Sequence, residues 1–337
     1  MHVEQQGYRC VMRKRLCVLL VVVLAVPFSA VPSAHAAPLA PKLLLRKDFP
    51  DPEVNQFADR YYAYGTGSHE TRVPVATALS PTGEWTIIGE AMPEPAAWMD
   101  EKAGVWAPDV FRRPDGKYLM YLTGRRASDG TRCLGAALSE NPVGPFAPLG
   151  EEPLVCKPEE GGDIDPVSFV DDDERLYLLY KSNGPGDQPS IIWLQPVAPD
   201  GVTLTGDRRE LLRSDLPEED DVIEAPVLIR RPSHYVLFYS VKSYTNSDYH
   251  TSYATASALA GPYTKTGGRW LDRTSFDETL DGPGGADITT GSDGQQHAFF
   301  HAWLGRTQAM RAMFATGMDW KDDLPILAPP GGGTRSD

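Results

Sequence analysis

The sequence predicts an all-β protein folded as a five-bladed β-propeller, and three observations lead to this prediction. Five short segments that place an acidic residue beside proline or small residues recur at spacings of 58, 56, 59 and 63 residues. Each acid is followed by a polar turn and then by a strand rich in aromatic and branched residues. Proline and glycine are abundant (30 and 31 residues), and no segment shows the long periodicity of an amphipathic helix. Repeats of this size are typical of propeller blades with about four strands each.

Five acids and the strands that follow them define the repeat. The acids are Asp51, Asp109, Asp165, Glu224 and Asp287. The aromatic strands after them are expected at 61–64, 118–121, 176–180, 235–239 and 297–301. A long β-sandwich or an irregular two-domain β protein is the alternative, and the even spacing of the acids argues against it.

The first 36 residues are expected to be a secretory signal peptide. Arg13-Lys14-Arg15 is basic, Leu16 to Phe28 is an apolar run of thirteen residues, and Ala34-His35-Ala36 fits a small-x-small cleavage site. A membrane span needs about 20 residues, which argues against the alternative of an N-terminal anchor helix. We therefore expect a secreted monomer without a membrane partner, a propeller over 37–328 and a disordered Pro/Gly-rich tail over 329–337.

The net charge argues against nucleic acid as a partner. It is −14 for the whole chain and −17 without residues 1–36, which carry four basic residues and one acidic residue. Such a protein suits a neutral ligand better than a polyanion or an anionic membrane.

Two cysteines, Cys133 and Cys156, lie beyond the predicted signal peptide. An even pair in an oxidising compartment favours a disulfide. Neither a CxxC motif nor a Cys/His spacing typical of zinc occurs, so no metal site is expected from these residues.

The five acids are expected to meet at one mouth of the propeller channel, because the first strand of each blade lines that channel. Asp51 and Asp165 precede proline, which favours extended geometry at the start of a strand. Carboxyl groups held close together repel, so one stays ionised while another keeps its proton. That division suits the general base and general acid of glycoside hydrolysis, and acids on non-adjacent blades suit the wide separation of an inverting enzyme.

A structural role is the alternative for each acid taken singly, because such residues often cap backbone N–H groups at strand ends. Asp109 and Asp287 are expected to support the structure or to bind a substrate hydroxyl. Trp106 could form the floor of a sugar pocket or pack in the core, and His301 could reach the channel or pack away from it.

At these residues the sequence resembles glycoside hydrolase family 43, over about 43–327. The matching motifs are Asp51-Pro52, Trp106-Ala107-Pro108-Asp109, Ile164-Asp165-Pro166 and Glu224-Ala225-Pro226. The resemblance implies a five-bladed propeller that hydrolyses glycosidic bonds with inversion. It implies Asp51 as general base, Glu224 as general acid and Asp165 as the residue that tunes the pKa of the acid and orients it.

Members that act as secreted arabinofuranosidases or arabinanases resemble the chain most. The resemblance thus implies an exo-acting α-L-arabinofuranosidase on plant cell-wall arabinan or arabino-oligosaccharide, with endo-arabinanase and β-xylosidase as alternatives. A non-catalytic sugar-binding propeller is the alternative from another class. Many relatives carry a histidine that organises a central metal or water where this chain has Gly284-Gly285. No cofactor is expected to be required, and a central calcium is not supported.

Overall fold

The strands of this chain form five antiparallel sheets arranged as a propeller, which confirms the predicted fold. The computed structural model describes residues 39–330 except 69, 187, 293 and 305–308. The predicted signal peptide and residues 331–337 of the predicted tail therefore lie outside the described residues. None of the helices within the described part is long and apolar enough to cross a membrane.

The sheets follow one another along the chain, and the bounds of their strands come close to the expected ones. A short strand, β1 (Lys42–Leu45), precedes the first blade. Blade 1 contains β2 (Glu53–Phe57), β3 (Arg60–Tyr64), β4 (Pro74–Ala78) and β5 (Thr86–Glu90). Blade 2 contains β6 (Trp106–Arg112), β7 (Tyr118–Arg125), β8 (Arg132–Ser139) and β9 (Ala147–Leu149).

The remaining three blades repeat this plan. Blade 3 contains β10 (Asp163–Val170), β11 (Leu176–Ser182), β12 (Ile191–Val197) and β13 (Arg209–Arg213). Blade 4 contains β14 (Ile223–Arg230), β15 (Tyr235–Val241), β16 (His250–Ala256) and β17 (Thr264–Lys265). Blade 5 contains β18 (Asp281–Thr290), β19 (Gln296–Trp303), β20 (Arg311–Lys321) and β21 (Leu324–Ala328). The described helices are short 3₁₀ turns at Pro158–Glu160, Pro217–Glu219 and Arg273–Phe276.

The ring is closed by pairing the beginning of the domain with its end. β1 runs antiparallel to β20, so blade 5 contains a strand that precedes blade 1 in the chain. The sequence analysis did not predict this closure, because β1 is only four residues long and carries no acid of the repeat. Closure of this kind removes the open edges that would otherwise remain at the ends of the ring.

Apolar side chains fill the five junctions between neighbouring blades. At one junction Phe238 of blade 4 packs with Phe300 and Phe314 of blade 5, and each of the other junctions holds a similar buried cluster. Phe238 and Phe300 belong to the strands that the repeat predicted. Apolar contacts between neighbouring blades therefore hold the ring together. The innermost strands are left free to carry polar groups along the channel.

Candidate active site

A backbone bulge recurs at the inner end of every blade and sets the direction of the site side chains. Its central residue is in the left-handed region in all five blades, and the register of strand pairing shifts at the bulge in blades 2 to 5. The residues concerned, with their φ angles, are Asp51 (50°), Ala107 (39°), Asp165 (54°), Ala225 (50°) and Gly285 (57°). A left-handed conformation is costly for a residue other than glycine and is found mostly where the surrounding structure enforces it.

The five predicted acids occupy three different positions relative to this bulge. Asp51 and Asp165 are at the bulge itself, Glu224 is one residue before it, and Asp109 and Asp287 are two residues after it. The expectation that all five meet at one mouth is therefore wrong. Because successive residues of a strand point to opposite sides, a shift of one or two residues sends the side chain to another depth or face of the channel.

Polar side chains on the second strand of each blade, or two residues after that strand in blade 1, tie the blades together at this level. The equivalent positions, from the strand registers, are Thr66, Thr123, Lys181, Ser240 and His301. Four of them accept a hydrogen bond from the backbone N–H of the bulge residue in the next blade. The four acceptor and donor pairs are Thr66 Oγ1 and Ala107 (2.8 Å), Thr123 Oγ1 and Asp165 (3.1 Å), Ser240 Oγ and Gly285 (2.9 Å), and His301 Nδ1 and Asp51 (3.1 Å).

The junction between blades 3 and 4 departs from this pattern. Lys181 has no acceptor atom, so Asp165 Oδ2 accepts the N–H of Ala225 instead, at 2.9 Å. The Lys181 ammonium donates to Glu224 Oε2 at 3.0 Å, and the two side chains are only 6% and 14% exposed. The sequence analysis did not identify Lys181, although a polar residue follows the aromatic residues of each second strand and could have been a signal.

Asp51 is held as a carboxylate. Burial raises its pKa, but the Arg311 guanidinium 3.8 Å away, the His301 ring and the Thr66 hydroxyl, which donates to Oδ2 at 2.6 Å, together outweigh burial and hold that pKa well below its usual range. Burial lowers the pKa of His301, so its ring is neutral and accepts from the backbone N–H of Asp51 through Nδ1. The same Nδ1 lies 3.3 Å from Asp51 Oδ1 and helps to lower the pKa of that carboxyl group.

Asp165 and Glu224 form a carboxyl pair on neighbouring blades. Burial, reinforced by the negative charge of Glu224, raises the pKa of Asp165 to about 7, against an opposing contribution from Lys181. The pair therefore keeps one proton up to near-neutral pH. The site thus contains an ionised carboxylate on blade 1 and a proton-bearing pair across the channel on blades 3 and 4.

These three acids line one pocket of about 190 Å³ at the mouth of the channel. Trp106, Tyr244 and Arg311 contribute to the same pocket. Trp106 is 36% exposed, with the Arg132 guanidinium 3.5 Å from its ring centre, and Arg311 lies 4.4 Å from the ring centre of Tyr244. Partly exposed aromatic rings beside carboxyl groups provide apolar faces and hydrogen-bonding groups of the kind a sugar ring requires. The sequence analysis did not identify Tyr244 or Arg311, which lie outside the repeated motifs.

Asp109 and His301, both expected as substrate-binding residues, do not line this pocket. Asp109 lies deeper in the channel, is 6% exposed and accepts the backbone N–H of Ser168 at 3.0 Å. His301 is fully buried behind Asp51 and stacks on Tyr249, with ring centres 5.7 Å apart. Both side chains therefore contact neighbouring blades or Asp51 rather than the space that a substrate could enter.

A second layer of acids lines the inner channel below the pocket. Glu53, Asp109 and Asp287 surround a cavity of about 50 Å³ that Asp51 and Asp165 separate from the mouth. Burial raises the pKa of Asp109 to about 7 and that of Asp287 to about 6, and burial together with the charges of its two neighbours raises the pKa of Glu53 strongly. Asp287 accepts the N–H of Val54 at 2.8 Å, so this layer joins blade 5 to blade 1 and blade 2 to blade 3.

The described side chains do not by themselves supply the full set of ligands that calcium takes. Calcium takes about six to eight oxygen ligands, and the described residues hold no group of three or more acidic, histidine or cysteine side chains around one point. At Gly285 even a Cβ would lie 2.8 Å from the His301 ring and 3.0 Å from Asp51 Oδ1.

The expected disulfide is present and lies near the pocket. Cys133 in β8 pairs with Cys156, 23 residues further along the chain. It fixes the segment before blade 3 to the strand that carries Arg132, whose guanidinium covers one face of Trp106.

Several known proteins are similar to this chain. It is 30% identical to "Xylosidase/arabinosidase 43A" of Humicola insolens over 39% of its own length, and the match spans only 42% of that relative. It is 22% identical to "Extracellular exo-alpha-(1->5)-L-arabinofuranosidase ArbA" of Cellvibrio japonicus over 83% of each chain. It is 25% identical to "Extracellular endo-alpha-(1->5)-L-arabinanase 2" of Bacillus subtilis over 52% of its length and 39% of that relative.

The structural comparison agrees with the sequence comparison. The crystal structure of a thermostable family-43 glycoside hydrolase superposes with a TM-score of 0.76 at 25% identity, covering 88% of this chain and 96% of the other. The sequence model of the family "Glycosyl hydrolases family 43" matches residues 42–325, which run from β1 into β21. This chain is therefore a member of glycoside hydrolase family 43.

Proposed function

We propose that this protein is a secreted, inverting, exo-acting α-L-arabinofuranosidase on arabinan or arabino-oligosaccharides, with Asp51 as general base, Glu224 as general acid and Asp165 as the residue that tunes the acid. One observation carries the proposal. Three carboxyl groups from blades 1, 3 and 4 line one pocket, and their environments divide them into an ionised group and a pair that keeps a proton.

The chemistry follows from that division. Asp51 stays ionised at every working pH, so it can orient a water molecule at the anomeric carbon and accept its proton as the bond to the leaving group breaks. The carboxyl pair supplies the proton for the leaving oxygen from the other side of the pocket. A direct displacement by water, assisted by two carboxyl groups on opposite sides of the sugar, inverts the anomeric configuration.

The small pocket supports action on a chain end. A volume of about 190 Å³ is below the roughly 300–1,000 Å³ of sites that hold drug-sized ligands, so it suits a single sugar unit. The exo-arabinofuranosidase name of the relative matched over 83% of both chains agrees with this. β-Xylosidase and endo-arabinanase are the competing activities, since other relatives carry those names.

Product analysis on linear 1,5-α-arabinan tests the proposal. We expect arabinose to be the first and only early product, and NMR of a fresh digest to show the β-anomer before mutarotation. A ladder of oligosaccharides would indicate endo action, a faster turnover of aryl β-xyloside would indicate a xylosidase, and binding of arabinan without turnover would indicate a sugar-binding propeller. Retention of the α-anomer would contradict the inverting mechanism.

Secretion has its own test. Relatives of this chain are named extracellular. Expression of the full chain in a bacterial host with a functional export pathway should give exported protein whose amino-terminal sequence begins near Ala37. Protein that stays in the cell with residues 1–36 attached would contradict cleavage.

A further inference from the structure

The junction between blades 3 and 4 carries a buried cation where the other four junctions carry a hydrogen-bond acceptor. Thr66, Thr123, Ser240 and His301 each bind the backbone N–H of the next bulge, and a threonine or serine at 181 could do the same. Lysine at this position gives up that bond and places a charge in a nearly dry site. Because the other junctions show that a small neutral acceptor satisfies the architecture, the lysine requires a different explanation.

The contacts of Lys181 point to Glu224. Its ammonium has donors only, and it lies 3.0 Å from Glu224 Oε2. An oxygen that accepts from an ammonium is not the oxygen that carries the acid proton, so in the protonated form the proton resides on Oε1. Because Lys181 cannot accept the N–H of Ala225, Asp165 accepts it instead. This hydrogen bond holds the Asp165 carboxylate beside Ala225, the residue next to Glu224.

We propose that Lys181 is a positioning residue for the general acid: it fixes the Glu224 carboxyl through Oε2, keeps the transferable proton on Oε1 and directs Asp165 toward the base of the Glu224 side chain. The inference rests on the proposed function, because it needs Glu224 to be the acid. It assigns a role in catalysis to a residue that touches neither the leaving oxygen nor the attacking water.

The charges around Glu224 define the state that Lys181 stabilises. The titratable and charged groups that face it come from several blades: Lys181 and Asp165 from blade 3, Tyr249 from blade 4, His301 and Arg311 from blade 5 and Asp51 from blade 1. Arg311 is committed to Asp51 and His301 is neutral, so Lys181 is the cation that balances the carboxyl pair. One ammonium and two carboxyl groups that share one proton carry no net charge, which suits a buried site.

The test compares two substrates that differ in their need for a proton. Hydrolysis of α-1,5-arabinobiose requires protonation of a sugar hydroxyl leaving group, whereas 2,4-dinitrophenyl α-L-arabinofuranoside releases a stable anion unaided. For Lys181→Met we expect kcat on arabinobiose to fall about 10- to 100-fold, a part of the 10²–10⁴ that general acid catalysis supplies, and kcat on the aryl substrate to change less than about threefold. The basic limb of the kcat/KM profile should move to higher pH, because the carboxyl pair loses the cation that lowers the pKa of Asp165.

Two further variants separate this role from a structural one. Lys181→Thr supplies the neutral acceptor of the other junctions, so it should fold well and still behave like Lys181→Met. Lys265→Met is a matched control, since it removes another buried lysine that pairs with a buried acid, Glu219 at 2.7 Å, in the outer strand β17. It should lower thermal stability and leave the ratio of the two activities unchanged.

The outcomes distinguish a failure of the Lys181 proposal from a failure of the proposed function. An equal loss on both substrates, or wild-type activity in Lys181→Thr, would overturn the role of Lys181. Glu224→Gln should show the same dependence on the leaving group as Lys181→Met, but to a larger extent. If Glu224→Gln shows no such dependence, the assignment of the general acid fails and the Lys181 proposal fails with it; if only Lys181→Met lacks it, the proposed function stands alone.

Discussion

Two layers of carboxyl groups line the same channel. Both layers consist of Asp and Glu, but the groups that face them and the shifts of their pKa values differ. Asp51 at the mouth and Glu53 in the inner layer are two residues apart, yet the pKa of Asp51 is held well below its usual range and that of Glu53 is raised well above it. Arg311 and Thr66 face Asp51, whereas the carboxyl groups of Asp109 and Asp287 face Glu53. The neighbours on adjoining blades, rather than the strand itself, decide what a carboxyl group can do.

The inner layer connects blades and the mouth layer is available for chemistry. Asp109 and Asp287 each accept a backbone N–H from an adjoining blade, and the cavity between them is only about 50 Å³. The mouth acids surround a larger pocket that also holds Trp106 and Tyr244. If this division is correct, substitutions in the two layers should have opposite consequences for activity and stability.

The largest effect is expected from removing the charge or the proton at the mouth. Asp51→Asn and Glu224→Gln should each lower kcat on arabinobiose by about 10² to 10⁴, the usual contribution of a general base or acid. Both changes keep the shape of the side chain, so circular dichroism and the thermal unfolding midpoint should remain near those of the parent. More than a tenth of the parent activity in either variant would contradict the assignment.

Gly285→Ala should produce the next largest effect. The position has a φ of 57°, and its Cβ would lie 2.8 Å from the His301 ring and 3.0 Å from Asp51 Oδ1. A displacement of Asp51 by up to about 1 Å should lower kcat about 10- to 100-fold. Gly268→Ala is the control, because nothing lies within 4 Å of its Cβ. Equal activity of the two variants would show that Asp51 tolerates displacement.

Arg311→Met should act mainly through pH. The guanidinium holds the pKa of Asp51 down against burial, so its loss lets that pKa rise and moves the acidic limb of the kcat/KM profile up by about one unit or more. Arg132→Met removes a guanidinium that packs on Trp106 rather than beside Asp51, so it should leave the limb where it is. An unmoved limb in Arg311→Met would mean that His301 and Thr66 hold Asp51 ionised without the guanidinium.

The smallest effect on activity, less than about threefold, is expected from Asp109→Asn in the inner layer. The pKa of Asp109 is about 7 when folded and near 3.8 when unfolded, so the native state holds the extra proton and stability falls as pH rises from about 4 to 7. In the variant this contribution, of the order of a few kcal/mol, is absent, and the midpoint of unfolding should depend less on pH between about 4 and 7. Asp59→Asn on an exposed turn should keep the parental slope; the same slope in Asp109→Asn would contradict the assignment.

The sequence could predict the blades because each repeats an acid and an aromatic strand at even spacing. It could not predict which acids share a pocket. Asp109 and Glu224 sit in similar motifs, but they differ by three residues relative to the bulge, and only the strand register shows this. Lys181, Tyr244 and Arg311 were missed because their importance depends on contacts with other blades, between 43 and 260 residues away for Lys181 and Arg311.

The pairing of β1 with β20 has a consequence for how the protein comes to be folded. Residues 42–45 are synthesised before any blade, yet their partner strand begins only at Arg311. Blade 5 therefore cannot be completed until almost the whole chain has left the ribosome, and until then β1 has no partner strand. We expect the transition from an open to a closed ring to be the last step of folding, so that a chain lacking residues 39–46 would self-associate through the part of β20 that β1 covers, residues 313–315.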